Sequence, residues 1–349
     1  KVWRLPEAGP TAKGRALVNL LPELGADTIT TVLPLPQDET LWEPLHLVFA
    51  TASGNVRRNR LSDFRNVRAA GLIAMKLDEG DHLVGVATCR EGDDVLLATR
   101  KGRCIRFQLL DDQVRVFAGR DSSGVRGIKL QTGDEVISLS VLRHVDATPA
   151  EREAYIKQAN ARRRGAGEEE AEAPAPVDEE EAVADVALTP ERLRELEDAE
   201  EMLLTVTDMG FGKRSSAYEY RVTGRGGQGI ANITLAPRNG KTVVATLPVR
   251  HGNDTLSGDD VMMVTDAGRL IRVPCDQVRI TGRQAMGVTL FRVDPGEHVT
   301  SVFPVLENDA DDNGGEDAPD APPNEAPPDA TAPDQPTSDG GLPEDDHDA

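Results

Sequence analysis

Four arginines occupy one position of a repeated unit, each four residues after a glycine: Arg58 after Gly54, Arg106 after Gly102, Arg214 after Gly210 and Arg272 after Gly268. The copies read LVFATASGNVRR, VLLATRKGRCIR, MLLTVTDMGFGKR and VMMVTDAGRLIR. A guanidinium is always charged, and its forked donors match phosphate oxygens. One such cation per repeat is chemistry suited to a polyanion. Arg57, Lys101, Arg103, Lys213 and Arg269 flank the series and add to it. A second basic set lies further along each unit, around a second glycine: Arg65 and Arg68 before Gly71; Arg115, Arg120 and Arg126 before Gly127; Arg225 before Gly229; Arg279 and Arg283 before Gly287. Lys13 precedes Gly14 in a fifth, half copy that has no first half. These stretches are Gly-rich loops, where backbone N–H groups can also face phosphates.

The elements that must carry these cations are β-strands. Each unit alternates apolar and polar residues with period two and is punctuated by Gly, Asp-Gly and Asn-Gly turns. Gly54 and Gly102 are 48 residues apart, and Gly210 and Gly268 are 58 apart. That is the length of one propeller-like blade of four short strands. Strand parity bears on the arginines. The second residue after the glycine is apolar in three copies (Val56, Cys104, Leu270), and the fourth shares its face. Simple alternation therefore sends the arginine inward. Two readings stand. In one, the strand twists or ends there, and the arginines emerge at an edge and line an outer rim. In the other, each packs its stem inside and pairs with a blade carboxylate. Recurrence in register, with the flanking cations, favours the rim.

Between Gly102 and Gly210 the spacing is 108 residues, so an insertion of about residues 144–200 splits the repeats into 1–143 and 201–306. Thr148-Pro149-Ala150-Glu151 is a helix start with a capping box, and Thr189-Pro190 opens a second helix. An acidic Ala/Pro/Glu linker joins them.

Charge must be partitioned before it is read. The chain of 349 residues carries 39 Lys and Arg against 60 Asp and Glu, a net charge of -21. Residues 166–201 hold 15 acids and two arginines, and residues 307–349 hold 15 acids and no Lys or Arg. The rest keeps 30 acids and 37 bases, a net of +7. A basic repeat body with acidic low-complexity segments fits a polyanion binder. The segment 307–349 is too poor in aliphatic residues to offset its ordering entropy and reads as a disordered tail.

Other chemistry is excluded or weak. Cys89, Cys104 and Cys275 show no metal-ligand or redox spacing and read as apolar filler in a reducing cytosol. The six histidines form no ligand pattern, so no metal site and no cofactor are expected. No nucleophile–base pair, paired carboxylate or nucleotide-binding loop stands out, so no catalytic residue is assigned. Tyr155, Tyr218 and Tyr220 read as packing. No run of about 18 apolar residues suggests a membrane. Aromatics make up only 3% of the chain, which disfavours base stacking on single strands and favours a duplex held by its backbone.

The stretches KVWRLPEAGPTAKGRALVNLLPEL, TASGNVRRNRLSDF, SSGVRGIKLQTGDEVISL, GFGKRSSAYEYRVTGRGGQGI and VMMVTDAGRLIRV closely resemble the C-terminal domain of the A subunit of bacterial DNA gyrase, in the type IIA topoisomerase family. The resemblance implies an all-β pinwheel with strands exchanged between blades, here four whole repeats and a partial one. It implies that the basic rim wraps double-stranded DNA and so supports negative supercoiling. The B subunit of gyrase, with a second A subunit, would join through parts outside this chain, in the cytoplasm. ATP and Mg²⁺ would act elsewhere in the holoenzyme. The family's Gln-Arg-Arg-Gly-Gly-Lys-Gly box would lie upstream of Lys1, and its nearest match is Gly224-Arg225-Gly226-Gly227-Gln228-Gly229. The C-terminal domain of topoisomerase IV, or a propeller that binds acidic proteins, remains an alternative.

Overall fold

A computed structural model describes residues 29–67, 71–165, 186–250 and 259–305, with scattered positions before residue 29. The expected tail at 307–349, residues 166–185 of the expected acidic linker at 165–188, and most of the half copy around Gly14 lie outside the described residues.

Fifteen strands are present among the described residues. In chain order they are β1 (His46–Thr51), β2 (Asn55–Arg60), β3 (Leu83–Cys89), β4 (Asp94–Thr99), β5 (Arg103–Gln108), β6 (Val125–Arg126), β7 (Val136–Leu142), β8 (Met202–Thr207), β9 (Phe211–Ser216), β10 (Ile230–Ala231), β11 (Val243–Val249), β12 (Asp260–Thr265), β13 (Leu270–Pro274), β14 (Val288–Thr289) and β15 (Val299–Val305). They form four antiparallel sheets with the orders β3-β1-β2-β6, β10-β5-β4-β7, β11-β8-β9-β14 and β13-β12-β15. These are blades 1 to 4. The strands β3, β7, β11 and β15 pack one against the next and line the axis. Across the described residues the fold is therefore all-β, propeller-like and four-bladed.

The repeated unit is a hairpin written in sequence. The carbonyl of each final Thr accepts the N–H of the Gly three residues on: Thr51 from Gly54 at 2.9 Å, Thr99 from Gly102 at 3.0 Å, Thr207 from Gly210 at 3.1 Å and Thr265 from Gly268 at 3.0 Å. Those glycines have φ of +87°, +78°, +72° and +81°, the left-handed region that a Cβ disfavours. In blades 1, 2 and 4 the Thr hydroxyl also accepts the N–H of the residue after the glycine, at 3.2–3.3 Å.

The fourth strand of a blade comes from the next repeat. β6 pairs with β2, β10 with β5 and β14 with β9, each after a loop that crosses from the following repeat. The glycines that open these strands, Gly124, Gly229 and Gly287, all have positive φ. A Cβ on them would lie 2.2–2.6 Å from a carbonyl of the receiving strand. Gly124, not Gly127, is thus the second-half glycine of the second repeat, a shift of three residues from the sequence reading.

Burial follows this exchange. β1, β4 and β8 are buried at every residue, because each lies between two neighbours. Val95 and Leu97 of β4 pack toward blade 1, and Leu96 and Ala98 toward blade 3. β12 alternates buried and half-buried residues, having blade 3 on one face only among the described residues.

The insertion contains α1 (Pro149–Gly165) and α2 (Pro190–Asp198), at the two expected starts. The Thr148 N–H donates to Glu151 Oε2 at 2.8 Å, and the Glu151 N–H donates to Thr148 Oγ1 at 3.2 Å, closing the capping box. Tyr155 and Leu196 pack with Tyr218 of blade 3, which docks the pair of helices on the propeller.

Candidate nucleic-acid interface

The repeat arginines are inside. Arg58, Arg106 and Arg214 are at most 4% exposed, as parity implied and the rim expectation did not. They share faces with Val56, Cys104 and Gly212, and the exchanged chain covers them. Arg58 donates to the Leu109 carbonyl at 2.9 Å and to Asp111 at 2.6 Å. Arg106 donates to the Ala217 carbonyl at 2.7 Å and pairs with Asp94. Arg214 donates to the carbonyls of Val278 at 2.7 Å and Asp276 at 3.0 Å. Apart from Asp94, each partner belongs to the following repeat. The backbone repeats the clasp: Phe117, Thr223 and Thr281 donate their N–H to the carbonyls of Arg58, Arg106 and Arg214, each at 2.8 Å. Arg272, on blade 4, has no following repeat over it among the described residues and is exposed, paired with Asp260. The inward reading therefore holds for three of the four arginines. They are struts between blades.

Several flanking cations are internal as well. Arg57 and Lys213 have no exposed surface, and Arg283 is 5% exposed. Burial pushes the Lys213 ammonium well below its usual range, and burial raises the nearby Glu219 carboxyl. Arg283 donates its backbone N–H to Glu219 and its guanidinium to the Glu219 and Ala231 carbonyls. The rim expectation is corrected for these three: the exchange loop lies over Arg57 and Lys213, and Arg283, itself on that loop, turns inward onto Glu219 and Ala231. Arg269 is half-buried, and Glu297 holds it through a forked contact, with Nε to Oε1 at 2.7 Å. Arg103 is half-buried and donates to the carbonyls of Gln228 at 3.0 Å and Gly229 at 2.6 Å. Lys101 is exposed, its Nζ on the Thr132 carbonyl at 2.6 Å.

The exchange loops carry the outward cations. The residues bridged in parallel to the buried arginines are Val116, Val222 and Ile280. The residue just before each is an exposed arginine: Arg115, Arg221 and Arg279. This is the in-register exposed set. Sequence reasoning found two of its members and missed Arg221. The signal was available, since Arg221 and Arg279 each stand eight residues before a second-half glycine, Gly229 and Gly287. The spacing of Arg115 to Gly124 is longer by one.

Other cations border the same loops. Arg126, on β6, is exposed. Arg225 is half-buried; its Nη1 donates to the Arg126 carbonyl at 3.1 Å and its Nε to the Gln113 carbonyl. Lys129, also missed, is exposed, and its N–H donates to the Gly227 carbonyl at 2.8 Å. Arg126, Lys129, Arg103 and Arg225 thus meet around the Gly224–Gly229 stretch. Arg120 is half-buried, its Cζ 5.8 Å from the Phe64 ring centre. Arg65 is half-buried on Glu43 at 2.7 Å and the Glu39 carbonyl at 3.0 Å. Lys13 is exposed, and Arg68 lies outside the described residues.

The remaining candidates for chemistry are structural. The three cysteines are buried, and burial pushes each thiol up to about 12. Tyr155, Tyr218 and Tyr220 are buried, with hydroxyls on Glu200, the Leu196 carbonyl and Asn232. Among the described residues no group of His, Cys, Asp and Glu is arranged to hold a metal, and no helix is long and apolar enough to cross a membrane.

A strand-exchanged propeller with a register of outward arginines defines a class of repeat protein. The match to known proteins is to a beta-propeller family. The family model "DNA gyrase C-terminal domain, beta-propeller" matches residues 45–90, 93–143, 201–247 and 259–306, one segment per blade. The chain belongs to that family. It is 72% identical over 327 residues to the DNA gyrase A subunit of Granulibacter bethesdensis, covering 93% of this chain and 34% of that protein. It is 43% identical over 313 residues to the DNA gyrase A subunit of Rickettsia bellii, covering 90% of this chain and 33% of that protein. The chain thus spans about a third of the length of these relatives. In fold it is similar to the C-terminal domain of DNA topoisomerase IV (TM-score 0.61, 17% identity, 87% of this chain and 74% of that one). It is also similar to the DNA gyrase A C-terminal domain (TM-score 0.52, 19% identity, 81% and 76%).

Proposed function

We propose that this chain is the C-terminal part of the A subunit of a DNA gyrase and that it binds and bends double-stranded DNA around its outer edge. The observation that carries this is the exposed set Arg115, Arg221 and Arg279, one per exchange loop on successive blades. Cations repeated at one height of a propeller follow a curved path, and a duplex on that path must bend. Arg126, Lys129 and Arg225 widen the track. Contacts of this kind hold phosphates and carry no base sequence. Among the described residues Phe303 alone of the aromatics is exposed, which supports backbone contact over base stacking.

In this reading the bend serves ATP-dependent negative supercoiling by an A2B2 holoenzyme in the cytoplasm. ATP hydrolysis, its Mg²⁺ and DNA cleavage reside in parts outside this chain. The chain contributes binding and geometry, with the acidic residues of 166–185 and 307–349 as attached anions that compete for the same cations. The two relatives above, both A subunits of DNA gyrase, favour this over a topoisomerase IV origin.

The test is a gel shift on duplex against single-stranded DNA at two salt concentrations. Neutralising about six to ten phosphates predicts a loss of roughly 10³–10⁵ in duplex affinity between 50 and 200 mM salt. A flat salt response, or preference for single strands, refutes the reading.

A further inference from the structure

Arg57 has no exposed surface and so cannot reach a phosphate. Its guanidinium is spent on the loop above it. Nη1 donates to the Ser122 carbonyl at 2.6 Å and to Ser122 Oγ at 2.7 Å, and Nη2 donates to the Gly119 carbonyl. Nε donates to Asn59 Oδ1 at 2.8 Å. Asn59 in turn donates to the carbonyls of Phe117 at 2.7 Å and Gly119 at 3.1 Å. The Phe117 ring lies between two guanidiniums, Arg57 inside and Arg115 outside, each 4.7 Å from its centre.

A packed core does not require a cation here. The equivalent residue of blade 2 is Ile105, three after Gly102 as Arg57 is three after Gly54. Blade 3 repeats the polar arrangement: buried Lys213 donates to Ser215 Oγ at 2.7 Å and to the Gly282 carbonyl at 3.4 Å. A buried charge held by carbonyls and hydroxyls costs desolvation, which apolar packing avoids. What it adds is direction. An isoleucine cannot donate to two carbonyls and a hydroxyl of a loop that lacks regular structure.

We propose that Arg57 is a positioning residue for duplex binding: from beneath the blade 1 exchange loop it fixes the backbone that presents Arg115 and Arg120. Lys213 does the same beneath the loop that presents Arg279. The proposal rests on the reading that these loops touch DNA.

The test measures duplex affinity of the full 349-residue chain against salt, together with melting temperature. Arg115→Ala/Arg120→Ala lowers the salt slope by about two, at roughly one per lost phosphate contact. Arg57→Met is expected to lower it by about two as well, although it removes one charge that DNA never meets. Adding Arg57→Met to the double variant is expected to lower it no further. A melting temperature that falls while the slope of Arg57→Met stays at the parent value overturns the proposal. Should Arg57→Met not fold, Asn59→Ala is read instead; a slope lowered by about one supports the proposal, and an unchanged slope overturns it. If Arg115→Ala/Arg120→Ala itself leaves the slope unchanged, the DNA reading of the loop falls, and this proposal with it.

Discussion

Arg106 and Asp94 form a buried ion pair across β5 and β4, with Nε 2.8 Å and Nη2 2.7 Å from the same carboxylate oxygen. Asp94 is fully buried, and its other oxygen meets His144 Nδ1 at 2.9 Å. The remaining Arg106 contact is to the Ala217 carbonyl of the next repeat. One arginine thus closes its own hairpin and clasps the following blade.

Arg106→Ala would leave Asp94 buried without its main partner. Removing one member of a buried pair costs about 3–5 kcal/mol. The expected outcome is a large drop in melting temperature. Where the protein still folds, the salt slope of DNA binding should match the parent. A lowered slope in a fully folded variant would return Arg106 to the rim.

Arg221→Ala and Arg279→Ala should behave in the opposite way. Both side chains are exposed, so melting should change little. Each should weaken duplex binding similarly across sequences and lower the salt slope by about one. A titration across salt concentrations checks this.

Two glycines of the same motif should differ on substitution. Gly210 has φ of +72°, and a Cβ there would lie 2.5 Å from the Phe291 carbonyl of the incoming chain. Gly268 has φ of +81° and nothing within 4 Å. Gly268→Ala should cost only the left-handed strain, about 1–2 kcal/mol. Gly210→Ala should cost more, because the exchanged strand must also move. Denaturant midpoints of the two variants make the comparison.

Acid should loosen blade 4 through Glu297. The Arg269 guanidinium, the Thr265 hydroxyl and the Asp294 N–H hold its carboxyl down to about 2, against an ordinary value of 4.5. The depressed value means the folded state favours the charged form. Its contribution is complete above about pH 4.5 and is lost as pH falls toward about 2. Glu297→Gln should lower stability at neutral pH and flatten the decline between about pH 4.5 and pH 2. Parallel decline in parent and variant would refute the assignment.

The turn chemistry was legible in the chain: Thr, two residues and a left-handed Gly close the hairpin in all four copies, and Thr148-Pro149-Ala150-Glu151 caps a helix from its own side chains. The four whole repeats followed from recurrence alone. These features depend on residues within a few positions of one another, and local physics suffices for them. The orientation of Arg58, Arg106 and Arg214 depends on chain from the next repeat. β1, β4 and β8 are covered on both faces, so alternation along them marks which neighbour a residue meets and gives no water-facing side. Only the exchange of β6, β10 and β14 decides that these three motif arginines are enclosed while Arg115, Arg221 and Arg279, on the covering loops, face outward.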